Sequence, residues 1–242
     1  MTYLILGGSS GLGRALAEKY AAEGQQLILL SQDHRDTCAL AAHLALTHDV
    51  LVTPLEMDLN GTSLPYADID QALLRHSPLK GILSPVGLND TADEVGLDDS
   101  RLERITRVNY LSPCKLINYY LPTLRANSGV IIGFGSVATA RGRSRNAAYA
   151  AAKRALESYF ESLKHYAANS AVSVQFYVLG YLDTNLAFSQ KLLFPRADPR
   201  MLARLVFERQ SRSGKTFYPV YWYLIYHLVR FLPWTIFKRM SF

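Results

Sequence analysis

Three residues in the middle of the chain have the types and the spacing to move a proton to or from oxygen. Ser136 lies at the carboxyl end of the short apolar run Val130 to Phe134, Tyr149 follows thirteen residues later, and Lys153 stands four beyond it. Four residues are about one helical turn, so if Tyr149 opens the alanine-rich helix that follows, Lys153 shares its face and its ammonium can approach the phenol. A free tyrosine ionises near a pKa of about 10 and is a poor base at neutrality. A neighbouring ammonium favours the phenolate, at about 1.4 kcal/mol per unit of lowered pKa. The Ser136 hydroxyl can donate to the same substrate oxygen. These residue types suit interconversion of a carbonyl and an alcohol. Tyrosine and lysine four apart on a helix are also common as plain structure, so a second pattern is needed to carry the chemistry.

That second pattern is at the amino terminus. The apolar run Thr2 to Leu6 ends in Gly7-Gly8-Ser9-Ser10-Gly11-Leu12-Gly13, and a helical stretch from Arg14 stops at Gly24. A strand, a glycine turn and a helix in that order form the phosphate cradle of a dinucleotide fold: glycines allow the sharp turn and close backbone approach, and the helix amino terminus favours the pyrophosphate charge. The spacing is G-x-x-x-G-x-G, and Gly7, Ser9, Ser10, Gly11, Leu12 and Gly13 are the expected cofactor contacts. A bound nicotinamide cation would favour the Tyr149 phenolate in the same sense as Lys153.

The elements between these patterns alternate. Leu27 to Leu30 reads as the second strand, whose end should face the adenosine ribose. An acidic residue there would bind the ribose hydroxyls and repel a 2′-phosphate. Ser31-Gln32 stands there instead, with Arg14 nearby in the fold and His34-Arg35 just beyond, which favours NADP(H) over NAD(H). The competing reading of Arg14 and Arg35 is solvated surface charge. After a helix near Thr37 to Thr47 and a strand Val50 to Glu56, Asp58-Leu59 can meet the adenine amine, or Asp58 can cap a turn or helix. A helix near Asp68 to His76, the strand Leu79 to Leu83 and the turn Ser84-Pro85-Val86-Gly87 come next. One long helical region, Asp98 to Arg125, then carries Asn109 and is expected to bend at Pro113. Beyond Lys153 the helix runs on to Ala168, followed by a strand Val172 to Leu179, Gly180, and a loop Tyr181 to Pro195 that places Thr184 at the nicotinamide end. A helix Pro199 to Gln210 and a short strand Thr216 to Tyr218 complete the pattern. The whole is the signature of an α/β fold, a single Rossmann-type domain with a doubly wound parallel sheet over residues 1–218, followed by an amphipathic helical tail over 219–242.

Composition agrees. With 242 residues and 49% hydrophobic content the chain can bury a substantial core. The formal charge of +6 and pI near 9.3 favour anionic partners such as a phosphorylated cofactor, a phosphorylated substrate or an acidic membrane surface. The basic residues are dispersed and carry no nucleic-acid motif, so nucleic acid is not an expected partner. Cys38 and Cys114 each fall in an expected helix, which argues against a disulfide framework, and the histidines and cysteines show no metal-ligand spacing. The amino terminus enters a strand at once, without a charged lead and long apolar segment, so the expected location is the cytoplasm.

With these residues in place the chain closely resembles the short-chain dehydrogenase/reductase family over nearly its full length. The resemblance implies a glycine loop at Gly7, Gly11 and Gly13, an adenine carboxylate at Asp58, a cofactor contact at Gly87, and a catalytic tetrad of Asn109, Ser136, Tyr149 and Lys153. In that family Tyr transfers the proton, Lys lowers its pKa and binds the nicotinamide ribose, Ser orients the carbonyl, and Asn supports a water beside Lys. Homodimers or homotetramers are implied as well. Three departures bear on cofactor geometry: Leu6 where Thr usually precedes the first glycine, Ser84-Pro85-Val86-Gly87 in place of Asn-Asn-Ala-Gly, and Leu179 in place of proline before Gly180.

Within the family, the opening LGGSSGLG, the catalytic loop GSVATARGRSRNAAYAAAK and the aromatic tail resemble the reductases of decaprenylphosphoryl-ribose epimerisation, which act on a 2-keto sugar carried on a polyprenyl phosphate. This likeness implies a lipid-linked carbonyl or alcohol substrate. A small soluble ketone is the alternative, and a non-catalytic sensor or scaffold that kept the fold is the reading from another class. Arg141, Arg143 and Arg145 lie between Ser136 and Tyr149, where at least one guanidinium can reach the pocket mouth and bind a substrate phosphate, or all three can be solvated loop charge. On a tail helix, Ile225, Leu228, Leu232 and Ile236 form an apolar face opposite His227, Arg230 and Lys238. The run is too short and too often interrupted to span a bilayer. It suits peripheral membrane contact in the headgroup layer, or packing on the protein itself or on another subunit.

Overall fold

The strands are apolar along most of their length because both faces of the sheet are covered. β1 (Thr2–Leu6), β2 (Gln26–Ser31), β3 (Val52–Glu56), β4 (Leu79–Ser84), β5 (Val130–Ser136), β6 (Ser173–Leu179) and β7 (Gly214–Tyr218) form one parallel sheet in the order β3-β2-β1-β4-β5-β6-β7. The structure is a computed structural model that describes residues 1–184 and 194–240.

Strand alternation sorts the core into two layers. Leu4, Leu6, Ile28 and Leu30 face one side, where they meet Leu116, Ile117 and Leu124 of α5 (Ser112–Ala126) and Leu156 and Phe160 of α6 (Ala147–Tyr166). Tyr3, Ile5, Leu27 and Leu29 face the other, against α1 (Gly11–Ala22), α2 (His34–His48) and α7 (Pro199–Glu208). Each such side chain, fully buried, contributes roughly 1.5–3 kcal/mol. Chain direction across the sheet reverses between β1 and β4, so a crevice opens at the carboxyl ends of the central strands. The Gly7 turn, the Ser84–Gly87 turn, Ser136 and Gly180 all sit on those ends.

Two expectations are corrected. The region from Asp98 to Arg125 is one long helical region as expected, in which α4 (Asp99–Thr106), a π-helical turn (Arg107–Leu111) and α5 follow without a break, but its irregularity is that π turn and not a bend at Pro113. Pro113 has no N–H for the Asn109 carbonyl four residues back, and the π turn accommodates this, with the Ser112 N–H bonded to the Arg107 carbonyl. The tail is not a single helix. α8 (Trp222–Phe231) and α9 (Trp234–Phe237) are separated by Leu232, which is extended at φ −57°, ψ 135° because a residue before proline avoids the helical region. The expected apolar face divides accordingly: Ile225 turns inward toward the crevice with Trp222 and Tyr226, while Leu224, Leu228, Phe231 and Ile236 are exposed. Gly180 sets this register, since a Cβ there would lie 1.9 Å from the buried Trp222 indole nitrogen. α3 (Tyr66–Leu73) completes the set of helices introduced here.

Candidate active site

The crevice encloses about 1010 Å³, at the upper end of the usual range for small-molecule sites. Its floor at one end is the glycine turn. Gly7 and Gly11 adopt positive φ (71° and 50°), and a Cβ on Gly13 would lie 1.9 Å from the Gly7 carbonyl oxygen, so α1 can start where it does only with glycine there. Ser10 at the amino end of α1 makes no side-chain cap and no acidic residue lies in the first turn. The leading N–H groups of α1 therefore face the crevice without a side-chain acceptor, the donor set that suits a pyrophosphate. Ser9, Leu12 and Gly13 line the same end, and the Ser9 hydroxyl meets that of Ser31 at 2.8 Å.

Ser31 and Gln32 line the crevice where a ribose would lie. Arg14 and Arg35 do not: Arg14 pairs with Glu18 at 3.2 Å and Arg35 with Asp36 at 3.2 Å, and neither lines the cavity. Asp58 and Leu59 do line it, and Asp58 accepts from the Asn60 amide at 2.8 Å, so it also caps its own turn. Gly87 lies on the lining, as does Thr184, whose methyl packs over Gly11. The part of the expected Tyr181–Pro195 loop from 185 to 193 lies outside the described residues.

Ser136, Tyr149 and Lys153 line the other end of the same cavity. Ser136 ends β5 and its Oγ accepts from the Ala138 amide at 3.1 Å, capping a 3₁₀ turn (Val137–Ala140). Burial raises the Tyr149 pKa above its ordinary value, and a hydrogen bond with the Ser136 hydroxyl works in the opposite sense. Lys153 is almost fully buried and donates to the carbonyls of Val86 at 2.7 Å and Phe134 at 3.1 Å, and burial lowers its pKa to about 7. The ammonium is thus directed at two strand-end carbonyls. Val86, one of the residues departing from the family pattern, supplies one of those carbonyls.

Asn109 is completely buried and does not line the cavity. Its Oδ1 accepts from the Leu88 amide at 3.0 Å, and its Nδ2 donates to the Leu88 and Ile105 carbonyls at 2.8 and 2.9 Å. Its side chain therefore acts on the site by holding the turn after β4.

Sequence reasoning missed Asp93. This buried carboxylate accepts from the amides of Ala148 at 2.9 Å and Tyr149 at 2.8 Å, capping α6 from a loop more than fifty residues away, while Asn146, the residue before the helix, makes no side-chain cap. A capping residue is ordinarily sought just before its helix, and no local signal marks this one. It also missed the tail's part in the site, where Trp222, Ile225, Tyr226 and Val229 form a wall. The three loop arginines separate. Arg141 and Arg143 line the cavity, Arg141 also donates to the Leu232 carbonyl and lies over the Phe237 ring at 4.3 Å, and Arg145 pairs with Glu94 at 3.4 Å. Among the described residues no group of three His, Cys, Asp or Glu could hold a metal ion, and Cys38 and Cys114 are free.

Comparison with known proteins is consistent with this geometry. Residues 1–191 match the short chain dehydrogenase family. The dehydrogenase/reductase SDR family member 7B of Danio rerio is 26% identical over 192 residues, which cover 77% of this chain and 62% of that protein. This chain thus spans less than two thirds of that relative's length. Among solved structures, one from a study of 7beta-hydroxysteroid dehydrogenase stereoselectivity superposes with a TM-score of 0.83 at 18% identity, covering 95% of this chain and 92% of the other. A short-chain dehydrogenase from Sphingobium yanoikuyae in complex with NADPH gives 0.81 at 22% identity, covering 99% and 96%.

Proposed function

This chain belongs to the short-chain dehydrogenase family, and from that premise we propose that it is an NADP(H)-dependent oxidoreductase interconverting a carbonyl and a secondary alcohol. The observation that carries the reading is that Ser136, Tyr149 and Lys153 share one cavity with the glycine turn. When bound, the nicotinamide would supply or accept the hydride. Tyr149 gives its phenolic proton to the substrate oxygen in the reductive direction and takes it back in the oxidative one. Ser136 donates a hydrogen bond to that oxygen. Two of the three N–H bonds of Lys153 go to backbone carbonyls, which leaves the third for a hydroxyl in the cavity. The glycine turn with Ser9, Ser10 and Leu12 would hold the pyrophosphate, Asp58 and Leu59 the adenine, and Gly87 and Thr184 the nicotinamide side. Ser31 and Gln32, neutral at the end of β2, favour a 2′-phosphate.

For the substrate we infer a keto sugar on a polyprenyl phosphate. Arg143, with Arg104 of α4, places positive charge on the cavity lining away from Asp58, and the apolar wall of α8 suits an isoprenoid. Such a substrate is met at a membrane, so peripheral contact through the tail belongs to this reading, as does a homodimer or homotetramer on the cytoplasmic side. The same apolar wall also favours the second reading, a small apolar ketone taken from solution. NADPH oxidation against a panel of carbonyl compounds, including lipid-phosphate keto sugars, separates the two. Tyr149→Phe is expected to retain NADPH binding and to lose turnover by at least about a thousandfold. Turnover kept in that variant, or NADPH bound without turnover of any carbonyl in the wild type, favours the non-catalytic sensor instead.

A further inference from the structure

Exposed apolar side chains concentrate on the tail. Leu224, Leu228, Phe231, Trp234 and Ile236 are each more than half exposed, and an apolar groove of about 630 Å³ runs along Leu224, Leu228, Phe231 and Pro233. Contiguous apolar surface of this kind marks a contact. Its charge says what kind. From Arg209 to the carboxyl terminus the sequence contains no Asp or Glu, and Arg230 on α8 and Lys238 and Arg239 directly after α9 are exposed.

We propose that the outward face of α8 and α9 is a docking surface for an anionic lipid bilayer. Aromatic and aliphatic side chains enter the interfacial layer while the flanking cations meet lipid headgroups. No helix among the described residues is long and apolar enough to cross a membrane, so the contact lies in the plane of the interface. A second copy is a poorer occupant, because a two-fold contact of this face would bring together two clusters of Arg230, Lys238 and Arg239 with no carboxylate on α8 or α9 of either copy.

The other face of α8 is a wall of the cavity. Ile225 lines both the cavity and the outer groove, so one helix separates the bilayer-facing surface from the substrate site. Two contacts fasten the tail to the catalytic segment, one to α6 and one to the loop between Ser136 and Tyr149. The Tyr226 hydroxyl accepts from Arg154 at 3.0 Å, and the Arg141 guanidinium grips the Leu232 carbonyl and the Phe237 ring. Docking therefore brings the cavity to the lipid surface. This deepens the lipid-linked reading above and rests on it for its purpose, whereas the test below needs no turnover, so either can fail alone.

The test is flotation of the full chain with vesicles of phosphatidylcholine, alone or mixed with phosphatidylglycerol. Wild type is expected to float with the mixed vesicles and at least tenfold more weakly with phosphatidylcholine alone. The triple change Arg230→Gln, Lys238→Gln, Arg239→Gln should weaken binding to mixed vesicles on the order of a hundredfold. Leu228→Glu with Phe231→Glu should abolish it while NADPH binding stays unchanged. Should the glutamates disturb folding, Leu224→Ser with Leu228→Ser reports the same loss. Wild type that ignores the mixed vesicles, or apolar-face variants that bind them as well as wild type, overturns the proposal. So does a wild-type dimer that the glutamate pair splits while neither protein floats, since the face is then a self-association surface.

Discussion

The two ends of the cavity are built in different ways. The glycine-turn end is assembled from neighbours in the chain: Gly7, Gly11 and Gly13 shape one turn, and the amides that face a phosphate belong to the helix that turn begins. The Tyr149 end is assembled from afar. Asp93 caps α6, Asn109 holds Leu88, and Tyr226 and Leu232 of the tail are fixed to Arg154 and Arg141. One end depends on backbone conformation, which a single residue sets. The other depends on polar contacts that exist only once the whole fold has closed.

The sharpest break of that contrast is Gly13→Ala. Its new Cβ would fall 1.9 Å from a backbone oxygen that cannot rotate away. Overpacking of this kind costs roughly 1–3 kcal/mol. NADPH binding, followed by fluorescence titration, is expected to weaken at least a hundredfold, because α1 must shift to relieve the clash. At the other end Asp93→Ala should act the opposite way. Losing a helix cap costs roughly 1–2 kcal/mol in thermal unfolding, and kcat should fall at least tenfold as the first turn of α6 moves Tyr149. NADPH affinity should stay within a few-fold. If Asp93→Ala instead lost cofactor and kept kcat, the two ends would not be separable in this way.

The same contrast explains what could be read from the residues alone. The alternation of strands and helices, the turn at Gly7 and the meeting of Ser136, Tyr149 and Lys153 were legible because each has a local mark in periodicity or spacing. Asp93 was not, since a buried carboxylate capping a distant helix leaves no mark in the residues before that helix. Pro113 did mark an irregularity, since it has no N–H for the Asn109 carbonyl four residues back, but that a π-helical turn absorbs it was hidden because the bonds of the Asn109 side chain to Leu88 are a tertiary matter. The tail was read as one helix through Pro233, although the residue before a proline avoids the helical region, and the face that α8 turns inward is decided by the space that Gly180 leaves for Trp222, a tertiary matter. Arg14 and Arg35 pointed to a 2′-phosphate by position, yet each has an acid at hand in Glu18 and Asp36.

Lys153 joins the two ends and offers a pH test. Burial lowers it from 10.5 to about 7. Between those values the unfolded chain holds the proton more tightly than the folded one, so the contribution of this group to stability is complete above 10.5 and is lost as the pH falls toward 7. The slope from this group is about 1.4 kcal/mol per pH unit. Denaturant unfolding of wild type and Lys153→Met across that window should show the slope in wild type and a smaller one in the variant. Equal slopes would mean that the two carbonyl acceptors keep the ammonium charged despite its burial.

The smallest expected effect tests the tail's hold on the distant-built end. Tyr226→Phe keeps the ring and its packing but removes the hydroxyl that accepts from Arg154 at 3.0 Å and Thr139 at 3.5 Å. Arg154 still donates to the Thr139 carbonyl at 2.6 Å, and Thr139 to Glu157 at 3.0 Å, so neither donor is stranded and the loss should be about 1 kcal/mol. Because α8 forms the substrate wall and not the cofactor cradle, that loss should appear in KM for the carbonyl and leave NADPH affinity alone. A change in NADPH affinity with KM intact would show that the tail is coupled through the sheet to the glycine turn, and the division between a locally built end and a distantly built end would then fail.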